Sequence, residues 1–236
     1  MLRRTIHPRL GASALAATLS VAAVAGARVG GAGEGASSWM PHPAPEGRPA
    51  SFSPGAENAK CEGCHREVAA EWRRSMHRQA YTDQVFQQAY SLEPFGFCRG
   101  CHAPEADPAS EPSVEAADIG VSCVTCHVAE GEIVGTADAT KPHAVRGDAR
   151  LATRDACASC HQFDFPRVPG QPMQSTLDEH RRSTKSGTEC QACHMQVVEG
   201  PDGKRHRSHE FAVLGDPSFI RSAVKDSAMR GATPDI

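Results

Sequence analysis

The sequence feature that most constrains this chain is a Cys-x-x-Cys-His motif that occurs five times and uses every cysteine. The copies are Cys61/Cys64/His65, Cys98/Cys101/His102, Cys123/Cys126/His127, Cys157/Cys160/His161 and Cys190/Cys193/His194. Each reads as a covalent c-type haem attachment site. The two thiols add to the vinyl groups of one porphyrin, and the spacing lets a single turn of chain reach both. The adjacent imidazole then faces the iron as proximal axial ligand. Disulfides or zinc would be the alternatives for ten cysteines. A histidine fixed after every second cysteine, with no thiol left over, favours five haems.

Five haems leave little room for a conventional core. Motif starts are 37, 25, 34 and 33 residues apart, about one haem per 35 residues, which is too short a segment to enclose its own core. Aromatic residues make up only 5% of the chain, with two Trp and two Tyr. Porphyrin must therefore supply much of the buried apolar mass, and the chain is expected not to fold without it. The expected class is mainly α with extensive irregular loops, a compact multihaem cytochrome c organised around its haems.

Three segments follow from composition. Residues 1–27 carry Arg3, Arg4 and Arg9, then an apolar run over 12–25 and small residues Ala25-Gly26-Ala27, the pattern of a signal peptide. The run is shorter than the roughly 20 residues a membrane span needs, though an uncleaved anchor is the alternative. No later segment is apolar enough to span a bilayer. Residues 28–58 are rich in Gly, Pro, Ala and Ser and read as a flexible lead-in, with His42 solvated. Residues 59–236 form the haem-bearing domain. Export to the periplasm or beyond agrees with haem attachment outside the cytoplasm.

Without the signal the chain has 22 basic and 28 acidic residues, a charge of −6, and haem propionates make it more acidic. That argues against nucleic acid or an anionic membrane as partner. Redox proteins are the expected partners, including other cytochromes and quinol-linked or terminal oxidoreductases, with an oligomer or larger complex left open.

Local patterns place a few elements. Val68, Trp72, Met76 and Ala80 recur at helical spacing after the first motif. A shorter helix is expected around 175–185. A C-terminal helix is expected to start with Asp216 as N-cap and Pro217 at its first position. Stretches 103–122 and 128–150 read as loops, with a short strand around 132–134.

Beyond the five proximal histidines, His7 and His42, five histidines remain: His77, His143, His180, His206 and His209. They are the candidates for the second axial position. His77 is too close to His65 to reach its own haem and would serve a neighbour. His143 lies in a loop after Pro142, and His209 precedes Glu210-Phe211. His180 follows Asp178-Glu179 on the expected helix. His206 lies in Lys204-Arg205-His206-Arg207, which also reads as a solvated basic turn. Met76 and Met173 are substitutes if one iron lacks histidine, whereas Met195 adjoins His194 and cannot cross its own haem. A closed set of irons means electron transfer. One open iron means a reductase or oxidase of a small nitrogen or sulfur compound, with Arg205, His206 and Arg207 as anion holders.

Three segments carry a family resemblance: Lys60-Cys61-Glu62-Gly63-Cys64-His65 with Trp72 and Ser75-Met76-His77-Arg78-Gln79-Ala80; Gly120-Val121-Ser122-Cys123-Val124-Thr125-Cys126-His127; and Cys190-Gln191-Ala192-Cys193-His194-Met195 with Ser208-His209-Glu210-Phe211. They resemble the multihaem cytochrome family that includes the nitrifier tetrahaem cytochrome accepting electrons from hydroxylamine oxidoreductase. The resemblance implies haems stacked in parallel and perpendicular pairs with mostly bis-histidine iron, and it supports His77, His143 and His209. This chain carries one more haem motif than the tetrahaem member. Relatives often have Trp where His180 stands. The lysine proximal ligand of ammonifying nitrite reductases is absent. Neither Tyr81 nor Tyr90 lies in a segment resembling the haem-crosslinking one of hydroxylamine oxidoreductase.

Overall fold

Each of the five motifs ends a short helix, and the rest of the chain ties these helices together. The structure, a computed structural model, describes residues 51–107, 110–165, 168 and 170–211. Helix α1 (Pro54–Cys64) starts with Pro at its first turn and a Ser53 cap whose side chain accepts from the Ala56 amide. It carries the first motif and begins within the segment expected as lead-in. Helix α2 (Arg66–Arg74) follows at once. Helix α3 (Gln84–Leu92), capped by Asp83, precedes α4 (Gly96–His102), which carries the second motif. Helix α5 (Val114–Ile119) precedes α6 (Cys123–His127), α7 (Asp155–His161) holds the fourth motif, and α8 (Thr176–Arg182) precedes α9 (Cys190–His194). The α-rich class expected from the sequence is the one observed.

Short strands complete the frame. Strands β1 (Val128–Ala129), β2 (Glu132–Gly135) and β3 (Arg146–Gly147) form one small sheet, antiparallel then parallel. Strands β4 (Gln162–Asp164) and β5 (Pro172–Ser175) pair antiparallel, as do β6 (Val197–Glu199) and β7 (Arg205–Arg207). The last pair closes through Gly200-Pro201-Asp202-Gly203, where Gly203 takes φ +75°.

Three expectations need correction. The helix after the first motif stops at Arg74, because the Ser75 hydroxyl donates to Trp72 O at 2.7 Å and accepts from the Arg78 amide at 3.2 Å. This local bonding competes with helix continuation, so Met76 and Ala80 lie in turns. The stretch 103–122 is not all loop, since Ser113 caps α5 by accepting from the Ala116 amide. His206 lies on β7 with its side chain 22% exposed, not in a solvated turn. The helix expected from Asp216 lies outside the described residues.

The polypeptide core is small, as the low aromatic content implies. One cluster joins Ala129 and Val134 with Leu151 and Ala156, and another joins Ala103, Ala106 and Ala116 with Tyr81. Polar side chains do much of the tethering between helices. Fully buried Asn58 accepts from the Cys123 amide at 2.9 Å, fixing α1 against the start of α6. The buried Trp72 indole donates to Val121 O at 2.8 Å.

Candidate haem-binding site

The five helices deliver each motif in the same way. In α1 the His65 amide donates to Cys61 O at 2.8 Å, so both cysteines and the histidine occupy one turn. The other four motifs lie within α4, α6, α7 and α9, each of which ends on its histidine. None of the ten thiols is in a disulfide. Among the described residues, no three His, Cys, Asp or Glu side chains gather into a cage for a metal ion.

The motifs meet in a definite order through their cysteines. Cys61 neighbours Cys123, Cys101 neighbours Cys160, and Cys157 neighbours Cys190, each closely enough to perturb the other's ionisation. Cys126 lies close enough to Cys160 to feel its charge. The first motif thus adjoins the third, and the fourth adjoins the second, third and fifth. Burial pushes the Cys126 thiol up to about 12.

Three of the five spare histidines bring their rings near that of a motif histidine. Ring centroids are 6.1 Å apart for His65 and His143, 6.3 Å for His77 and His161, and 6.3 Å for His127 and His209. A metal–imidazole bond of about 2 Å, with the ring centre about 1 Å further back, puts two imidazoles on opposite faces of one metal about 6 Å apart. All three pairs have that separation, and all three join residues distant in sequence.

Hydrogen bonds orient several of these rings. His102 Nδ1 lies 2.6 Å from Ala80 O, His127 Nδ1 2.9 Å from Val134 O, and His209 Nδ1 2.8 Å from Arg207 O. A carbonyl only accepts, so Nδ1 carries the proton and Nε2 keeps its lone pair for a metal. Burial lowers the affinity of His102, His161 and His209 for a proton. His77 is lowered to about 4, by burial first and then by His161, His194 and His209. Neutral imidazole is the form that binds iron. These geometric and protonation features fit c-type haem.

The other two candidates face protein groups. Arg154 Nη1 lies 3.4 Å from His180 Nδ1, and Arg154 also bonds Glu189 at 3.1 Å. His206 Nε2 donates to Glu71 Oε1 at 3.1 Å. His102 has no histidine partner among the described residues, and Phe86 stacks on its ring at 3.7 Å. Beyond Phe86 stands a cluster that sequence reasoning missed. Tyr81 and Tyr90 both donate to Glu111, at 3.0 and 3.1 Å, and buried Arg99 pairs with the same carboxylate at 2.6 Å. Burial, then the bond to Glu111, raises both phenols.

Comparison with known proteins agrees with this geometry. Residues 60–128, which hold the first three motifs, match the family described as Cytochrome c554 and c-prime. The fold is similar to that of a penta-heme cytochrome c552 from Thermochromatium tepidum, with a TM-score of 0.59 and 21% identity. The likeness covers 71% of this chain and 59% of that one, so the chain spans little more than half of that protein's length. No curated protein matches the chain. The first three motifs thus resemble that family, and the fold is that of a multihaem cytochrome. Among the described residues no helix is long and apolar enough to cross a membrane.

Proposed function

We propose that the chain is an exported pentahaem cytochrome that passes electrons between redox partners through closely packed haems. The observation that carries this reading is the set of three imidazole pairs at 6.1–6.3 Å. On this reading His65 and His143 hold the first iron, His127 and His209 the third, and His161 and His77 the fourth. A protein-held imidazole on each side of the iron would leave its ligands unchanged between oxidation states, so little rearrangement would accompany electron transfer. The cysteine contacts support a route from the first haem to the third and the fourth, with the second and fifth each adjoining the fourth. Export rests on the basic and apolar pattern of residues 1–27.

The test is a haem count with ligand assignment. The purified exported protein should carry five haems per chain by mass and by haemochrome absorbance. Replacing His77, His143 or His209 by Ala should in each case convert one low-spin iron to high-spin. A full chain carrying fewer than five haems, or substitutions that leave every iron low-spin, would refute the reading.

A second reading has an observation of its own. His102 lies opposite no histidine among the described residues, which favours an open face on the second iron. Such an iron would bind a small nitrogen or sulfur compound, and electrons from the fourth haem would reduce it. Carbon monoxide binding to the reduced protein, lost on removing the second motif, together with turnover of nitrite, hydroxylamine or tetrathionate, would favour the reductase. Binding without turnover across that panel favours the carrier.

A further inference from the structure

Glu71 joins the helix after the first motif to the segment that carries the candidate ligand of the third iron. Its side chain is 14% exposed, and both carboxylate oxygens are used. Oε1 accepts from His206 Nε2 at 3.1 Å, and Oε2 accepts from the His209 amide at 2.9 Å. One turn along α2, Arg74 pairs with Glu210 at 2.7 Å. The chain has left β7 by His209, so no strand pairing fixes that residue. Its ring nevertheless lies 6.3 Å from His127.

We propose that Glu71 is a positioning residue that clamps the His206–His209 segment onto α2 and so presents the His209 imidazole to the third iron. This rests on the reading of His209 as an iron ligand. Two lines of chemistry favour the clamp. A carboxylate only accepts, so His206 Nε2 must carry its proton and cannot also donate a lone pair to iron. The clamp thereby takes Nε2 of His206, which leaves Nδ1 as its one nitrogen with a lone pair. The amide of His209 is the backbone group nearest the ligating ring, and holding it fixes where the side chain starts. The His209 Nδ1 bond to Arg207 O then sets the ring's rotation. Pre-set ligand geometry of this kind is what outer-shell groups contribute at metal centres.

Four variants of the haem-loaded protein test this by low-temperature electron paramagnetic resonance and carbon monoxide binding. His209→Ala should turn one low-spin iron high-spin and let the reduced protein bind one further carbon monoxide. Glu71→Ala should produce the same new species in part, with free imidazole restoring the low-spin signal. Glu71→Gln keeps an acceptor for the His209 amide and should shift the low-spin signal less. His206→Ala should lower thermal stability and leave the iron low-spin. A Glu71→Ala spectrum identical to the parent overturns the clamp, however much stability is lost. So does a His206→Ala change as large as that of His209→Ala, which would make His206 itself a ligand. If Glu71→Ala does not fold, a Glu71→Gln spectrum identical to the parent overturns it equally. No new high-spin iron in His209→Ala instead sinks the ligand reading beneath the proposal.

Discussion

Replacing Gly120 by Ala should displace His77, the proposed ligand of the fourth iron, although residue 120 bears no ligand. Gly120 takes φ +51° and ψ −130°, a conformation open to glycine and costly for alanine. A Cβ at this position would lie 2.5 Å from His77 O and 2.7 Å from Arg78 O. Both are backbone atoms, so neither can swing aside. Holding a non-glycine residue there costs about 1–3 kcal/mol. The retreat of His77 O also weakens the 2.8 Å bond it accepts from the Val121 amide, worth about 1 kcal/mol. The sum is on the order of 2–4 kcal/mol, and part of it is relieved by moving the His77 backbone away from its iron. Denaturant unfolding followed in the Soret band should show a lowered midpoint. The ferric spectrum should show one of the low-spin signals shifted or partly high-spin. A Gly120→Ala protein with parental midpoint and parental spectrum would refute the reasoning.

Other perturbations probe the frame. Trp72→Phe removes the indole donor to the part-buried Val121 O and should cost about 1 kcal/mol, with the haem count unchanged by mass. Asp148 is largely covered, and its bonds to Arg150 hold its carboxyl below the usual range. A depressed folded value means the stabilisation is complete above the unfolded carboxylate value, about 3.9, and is lost as pH falls below it. Asp148→Asn should therefore flatten the acid limb of a stability–pH curve below about pH 4, and an unchanged limb would count against the pair. Chain made without haem attachment should lack a cooperative thermal transition by circular dichroism. A sharp transition in that apoprotein would show that the small polypeptide core suffices.

What the sequence conveyed and what it hid have physical causes. The motifs were legible because thioether chemistry fixes their spacing locally. Helix α8 and strand β2 were legible because each carries its own pattern. The end of α2 at Ser75 depended on a side-chain turn that overrode the helical period of Met76 and Ala80. The β4–β5 and β6–β7 hairpins have strands of three or four residues, too short for alternation to register. The histidine partners could be nominated but not matched, because His65 meets His143 and His127 meets His209 across long intervals of chain. Glu71 gave no signal at all. Its partners lie more than a hundred residues away, and a lone glutamate on a charged helix resembles any solvated one.

The central claim is that three irons are each closed by a motif histidine and a distant one. Low-temperature electron paramagnetic resonance of the oxidised holoprotein, taken with its His77→Ala, His143→Ala and His209→Ala variants, tests it most directly. The parent should show at least three low-spin bis-imidazole irons, with one converted to high-spin in each variant. A parent dominated by high-spin iron, or variants whose low-spin count matches the parent, would contradict it.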